Sequence, residues 1–148
     1  MNKNTKNTIM ITGAGGFLGR ELLRQVIKDT DYFAVAITSQ PHKLYEKFGK
    51  ERLVCYGFED INNDIINWQN IDTIVHCAFA RSQDGKELAV SLERTKLLFE
   101  KAYYEKVRRV INISSQGVYG QSNKPLWKEN TRVAPDSLYA LSKYNSEL

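Results

Sequence analysis

Apolar residues fall along this chain in two rhythms. Short continuous runs occur at Ile9–Thr12, Phe33–Ile37, Leu53–Tyr56, Thr73–Cys77 and Val110–Ile113, each too short for a helix and too uniformly apolar for a strand with one wet face. They predict strands buried on both sides. Between them the apolar positions recur at helical spacing, as Leu18, Leu22, Leu23, Val26 and Ile27 after the first run and Leu88, Leu92, Leu97, Leu98 and Ala102 before the last. Shorter helical pieces are expected after Pro41, ending near Gly49, and from Asn63 to Trp68. Pro135-Asp136-Ser137 carries start signals for a final helix from near Leu138, in a pattern still running at Leu148. Strand and helix alternating in this way predict right-handed crossovers and an α/β fold, a Rossmann-like doubly wound parallel sheet covered on both faces. Residues 1–8 lack both rhythms and read as a flexible tail before a single domain at 9–148.

Composition narrows the classes. The 148 residues, 42% hydrophobic, suffice for one core, and no apolar run approaches the ~18 residues of a membrane span. The start of the chain has no signal-peptide stretch, so a cytoplasmic protein without membrane attachment is expected. The net charge of +4 is scattered; its densest cluster, Lys101, Lys106, Arg108 and Arg109, is interleaved with acids and reads as a solvated helix face rather than a nucleic-acid site. Cys55 and Cys77 lie in apolar runs without metal-ligand spacing, which predicts buried, reduced thiols and no metal.

Candidate chemistry gathers at three places. The first run leads straight into Gly13-Ala14-Gly15-Gly16-Phe17-Leu18-Gly19 and then a helix, the context in which glycines let a backbone approach a pyrophosphate at a helix N-terminus. Gly13, Gly16 and Gly19 are the assigned glycines; the plainer alternative is a glycine-rich turn. On the last helix Tyr139 and Lys143 share one face, where a cation lowers the pKa of a phenol, ordinarily near ~10, toward acid–base use. A solvated face is the alternative for that pair alone. At the end of the fifth run Ser114 and Ser115 offer hydroxyls where strand ends carry site residues, or else simply form a turn.

Thr12–Gly19 in its GxxGxxG spacing, Val75–Ala80, Ser114–Gly120 in its Ser-Ser-x-x-Val-Tyr-Gly form and Tyr139–Lys143 occur in one order. Pro125, Glu129, Pro135 and Glu147 surround them. The chain after its tail thereby resembles the extended short-chain dehydrogenase/reductase family, which includes nucleotide-sugar epimerases and dehydratases. The resemblance implies a catalytic Ser115, Tyr139 as acid/base, and Lys143 binding the nicotinamide ribose and lowering the tyrosine pKa, with hydride moving between substrate and nicotinamide. It also implies that Phe17 and Leu18 join the glycines at the cofactor, that Ala78, Phe79 and Ala80 line it, and that Asp60 and Ile61 lie near its adenine. His76 is expected to be a core histidine. The second run ends Thr38-Ser39-Gln40-Pro41-His42-Lys43, without the acid that receives the ribose of NAD. Thr38, Ser39 and Lys43 therefore suggest NADP(H) in preference to NAD(H), although Lys43 also suits a solvated helix start.

Two departures from the family pattern stand out. Ser91-Leu92-Glu93-Arg94-Thr95 replaces an Asn-Val-x-Gly-Thr stretch, putting one supporting hydrogen bond in doubt. The family also continues past the Tyr/Lys helix, so the chain reads as truncated there. On that reading it has no substantial turnover alone, and its uncovered strand and helix favour self-association into a homo-oligomer or binding to a complementary chain. Two other possibilities remain open: a non-catalytic dinucleotide-binding domain, and a structural remnant that pairs with another chain.

Overall fold

The computed structural model describes residues 7–121 and 126–148; Pro125 lies outside them. Five strands, β1 (Thr8–Thr12), β2 (Phe33–Ile37), β3 (Leu53–Tyr56), β4 (Ile71–His76) and β5 (Arg109–Asn112), alternate with helices α1 (Phe17–Asp29), α2 (Pro41–Phe48) and α3 (Gly85–Tyr104), before α4 (Leu138–Asn145). All strand pairs are parallel, in the order β3-β2-β1-β4-β5. The central strand β1 pairs Thr12 with Ile37 on one side and His76 on the other. The chain divides into two compact units, Met1–Ala78 with Leu97–Asn112, and Phe79–Lys96 with Ile113–Leu148.

The first unit holds the sheet. Period-two alternation sends Met10, Val35, Ile37 and Ile74 to one face, where Ile61, Trp68, Leu98 and Ala102 cover them. Ile11, Ala34 and Ala36 point to the other, against Leu23 and Val26 of α1 and Leu44 of α2. Both faces are thus covered, as in a doubly wound sheet. β5 differs: Val110 and Ile111 are 39% and 42% exposed, against the expectation of burial. β5 lies at the sheet edge, and among the described residues neither core cluster extends onto it, whereas β3 at the other edge buries Leu53.

Other expectations are corrected. Thr8, placed in the tail, is a buried residue of β1 paired with Phe33 and Ile71. No α-helix covers Asn63–Trp68; short 3-10 turns form at Phe58–Asn62 and Trp68–Asn70. Asn62, Asn63, Asp64 and Asn67 favour such local turns, while Ile61, Ile66 and Trp68 anchor the segment in the core. The final helix ends at Asn145 rather than running to Leu148, because the Ser146 amide donates to both Ser142 and Lys143 carbonyls, each at 3.1 Å, and its hydroxyl to the Lys143 carbonyl at 2.7 Å. Cys55 and Cys77 form no disulfide and are only half-buried.

The basic cluster is more than a solvated face. Arg108 makes a two-pronged pair with Asp72, Nε to Oδ1 at 2.7 Å and Nη2 to Oδ2 at 2.9 Å, while Lys101 pairs with Glu105 at 2.8 Å. Bonding to Arg108, helped by the Thr73 hydroxyl, holds the Asp72 carboxyl at a pKa of about 2. Lys106 adopts a left-handed φ of 54° at the end of α3, where Val107 N–H reaches back to the Ala102 carbonyl at 2.9 Å. This is a Schellman stop made without glycine.

In the second unit, Asp84 caps the start of α3 by accepting the Lys86 and Glu87 amides. A 3-10 turn at Gln116–Tyr119 packs beside α4, where Gly117 faces Ala140. The Ala134 amide donates to the Val118 carbonyl at 2.9 Å, and Asp136 accepts the Gln121 amide at 2.8 Å. Ser137 caps α4 by accepting the Ala140 amide at 3.1 Å, matching its sequence start signal. Among the described residues no helix is long and apolar enough to cross a membrane.

Candidate functional site

The glycine run leaves β1 and turns at once into α1. Gly13 has φ +62°, and a Cβ there would stand 2.9 Å from the backbone of Ala78, which follows β4. At Gly19, buried on α1, a Cβ would overlap the Gly13 carbonyl oxygen. Both positions exclude a side chain on backbone grounds, so the loop packs tightly against its own helix. Gly16 is the N-cap of α1, where no side chain caps the helix and no acid stands in the first turn. Phe17, 92% exposed, and Leu18, 41% exposed, open this turn to solvent. The result is a helix start whose amides and dipole favour an anion, on a loop without side-chain bulk. Those features fit a pyrophosphate, and with it a dinucleotide.

The loop lies where the strand order reverses, between the carboxyl ends of β1 and β4. There Thr12 Oγ1 sits 2.7 Å from His76 Nδ1 and accepts the Ala78 amide at 3.2 Å. His76 is 1% exposed and meets Phe99 edge-on, so it is the core histidine that the sequence suggests. Thr38, at the end of β2, comes beside the loop, since a Cβ on Gly15 would lie 3.2 Å from its hydroxyl; that hydroxyl also accepts the Gln40 amide at 3.1 Å. Ser39 and Lys43 are exposed. Asp60 accepts the Gly57 amide at 2.8 Å, while the Ile61 side chain is fully buried in the core.

In the second unit the other candidates cluster by themselves. Ser115 begins the 3-10 turn, accepting the Gly117 amide at 3.1 Å, which leaves its proton to donate. Ser114 is bonded instead to the Glu147 carboxylate. Tyr139 stands in the first turn of α4, its ring edge-on to Phe79 with centroids 6.2 Å apart. Lys143 is only 3% exposed; its Nζ donates to the Ile113 carbonyl at 2.5 Å and lies 4.3 Å from the centre of the Phe79 ring. Ala80 is held through its amide by the Ser91 hydroxyl at 3.0 Å, and that hydroxyl donates to the Glu87 carbonyl at 3.1 Å. The departure at Ser91 thus supplies a hydrogen bond of its own to the segment after β4.

Sequence reasoning missed the Ile113 carbonyl, which carries no side-chain signal, and the amide acceptor Ser91, visible only as a departure. It also missed Gln83, whose Oε1 lies 3.4 Å from the Tyr139 amide.

The chain is 26% identical to dTDP-4-dehydro-6-deoxyglucose reductase of Escherichia coli, over 96% of this chain and 49% of that protein. It is likewise 26% identical to a dTDP-glucose 4,6-dehydratase of Actinoplanes sp., over 95% of this chain and 50% of that one. Among solved structures, UDP-glucuronic acid 4-epimerase from Bacillus cereus in complex with NAD superposes with a TM-score of 0.76 at 25% identity, covering 95% of this chain and 49% of that one. DesIV, a dTDP-glucose 4,6-dehydratase from Streptomyces venezuelae with NAD bound, gives a TM-score of 0.76 at 26% identity over 95% of this chain and 49% of that one. The chain spans about half the length of the curated relatives it matches. The model of the NAD dependent epimerase/dehydratase family matches residues 9–148, nearly all of the chain, which therefore belongs to that family.

Proposed function

We propose that the chain binds an adenine dinucleotide through Gly13, Gly16, Phe17, Leu18 and Gly19 and serves an oxidoreductase, epimerase or dehydratase of nucleotide sugars. The observation that carries this reading is the uncapped, acid-free start of α1 behind a loop whose glycines Gly13 and Gly19 have no room for a Cβ. When bound, the nicotinamide supplies a site that accepts or donates a hydride. Tyr139 exchanges a proton with the substrate hydroxyl or carbonyl, the Lys143 cation favours its phenolate and holds the nicotinamide ribose, and the Ser115 hydroxyl donates to the same substrate oxygen. Ala78, Phe79 and Ala80 line the cofactor, and Asp60 and Ile61 approach its adenine by their backbone.

NADP(H) is the preferred form in this proposal. No acid ends β2 to repel a 2′-phosphate, Thr38 brings a hydroxyl beside the loop, and Ser39 and Lys43 are exposed to receive an anion. Calorimetric titration of the 148-residue chain with NAD(H) and NADP(H) tests both statements. Binding of either, tighter for NADP(H) and lost in Gly16→Val, is expected; no binding by a folded sample at millimolar ligand refutes the site, and tighter NAD(H) refutes the preference.

A further inference from the structure

The geometry points to Phe79 as a positioning residue, an aromatic clamp that holds the buried Lys143 ammonium in place beneath Tyr139's helix face. The inference rests on the functional reading of Tyr139 and Lys143 given above, and adds a residue that acts through them.

A lysine with 3% exposure has given up most of its water, and an ammonium in that state keeps its proton and its place only where other groups replace the lost hydration. The Ile113 carbonyl replaces part of it, as an acceptor at 2.5 Å. The Phe79 ring replaces another part, its negative face 4.3 Å from Nζ. The same ring turns its other contact to Tyr139, edge-on at 81°. One side chain therefore touches both members of the Tyr/Lys pair.

The clamp is itself held. Phe79 precedes Ala80, whose amide is tied to Ser91 on α3, and Ser91 is tied to the Glu87 carbonyl one turn earlier. The ring is thus carried on a segment anchored to a long helix rather than on a loose loop. An aliphatic residue of similar bulk would fill the space but present no negative face to the ammonium. Phe79→Leu therefore releases Lys143, whereas Phe79→Tyr keeps it.

The test uses the whole chain with lysines labelled at Cε, read by proton–carbon NMR, with Lys143 assigned by the resonance missing in Lys143→Met. In the unaltered protein the Lys143 Cε protons should be displaced upfield of every other lysine by the ring current of Phe79. Phe79→Leu should abolish that displacement and expose Lys143 to acetylation by an amine-reactive ester, and Phe79→Tyr should retain both the displacement and the protection. An unaltered protein without the upfield signal overturns the clamp even if Phe79→Leu fails to fold, as does a Phe79→Tyr protein as readily acetylated as Phe79→Leu. Titration of the same samples with NAD(H) and NADP(H) separates the two claims: binding of neither with the upfield signal present overturns the functional reading on which the role rests, and binding of either without the signal overturns the clamp alone.

Discussion

At the glycine loop the distances that matter run from backbone to backbone: Gly13 against Ala78, Gly19 against the Gly13 carbonyl. On α4 they run from side chain to carbonyl and ring, Lys143 to Ile113 and to Phe79. The first region works by the absence of atoms, and a carbon added at Gly13 or Gly19 meets main chain that has nowhere to move. The second works by the presence of particular groups, each on a side chain that has other ways to pack. The loop glycines should therefore not be replaceable without loss of fold stability, whereas Tyr139 and Lys143 should be replaceable with the fold intact.

The sharpest probe of that contrast is Gly19→Val. Its side chain has to displace the Gly13 backbone, at an expected loss of about 3 kcal/mol or more in urea unfolding. A protein of unchanged stability would show that the loop yields and that the contrast is false. Next in size is Thr12→Val, which takes the hydroxyl from both His76 Nδ1 and the Ala78 amide and should lower stability by about 2 kcal/mol, with Thr12→Ser close to the parent. That result would show that the loop's support at the strand end depends on one buried side-chain hydroxyl as well as on main-chain packing.

A smaller effect comes from Asp72, a side-chain pair outside both regions. Its pKa is lowered from 3.8 to about 2, mainly by the hydrogen bonds from Arg108, so the pair's stabilisation is present above pH 3.8 and is lost as pH falls toward 2. Arg108 is 59% exposed, and with screening the loss should be about 1 kcal/mol. Unfolding at pH 5 and pH 2.5 should show a decrement in Asp72→Asn smaller than the parent's by this amount, the remainder coming from other carboxyls such as Glu21. The smallest effect is expected from Lys143→Met, within about 1 kcal/mol of the parent, because replacing a buried cation by an apolar chain of like length removes a desolvation penalty along with the contacts. If Lys143→Met unfolded as readily as Gly19→Val, the division between the two regions would collapse.

What could be read in the sequence follows the same division. The strands β2 and β3 have the limits their apolar runs predict, and α4 begins at the cap that Ser137 announces. Glycine spacing marks the loop because backbone sterics demand that residue type wherever the chain runs. The Asn63–Trp68 segment misled because Ile65, Ile66 and Trp68 mimic a helical spacing, while the asparagines between them stabilise turns. Val110 and Ile111 misled because apolar character tells nothing of whether another element covers a strand, and neither core cluster extends onto β5. The partners of Lys143 were illegible for a different reason: a backbone carbonyl at Ile113 has no letter, and Phe79 is distant in the chain from the lysine it covers.

The central position of β1 also governs the order in which the chain can acquire structure. β1 pairs with β2 and with β4, and its contact between Thr12 and His76 joins residues 64 apart. During synthesis α1 and β2 can close on β1 soon after they emerge, but the other side of β1 stays unpaired until β4 has been made. At about 5–20 residues per second that interval lasts for seconds, in which an apolar strand has an open edge. Loop closure over such a separation slows folding relative to local contacts. The crevice at Thr12, Gly13 and Ala78 is therefore among the late features to form, and a nascent chain released before β4 would hold the glycine loop without the wall it packs against.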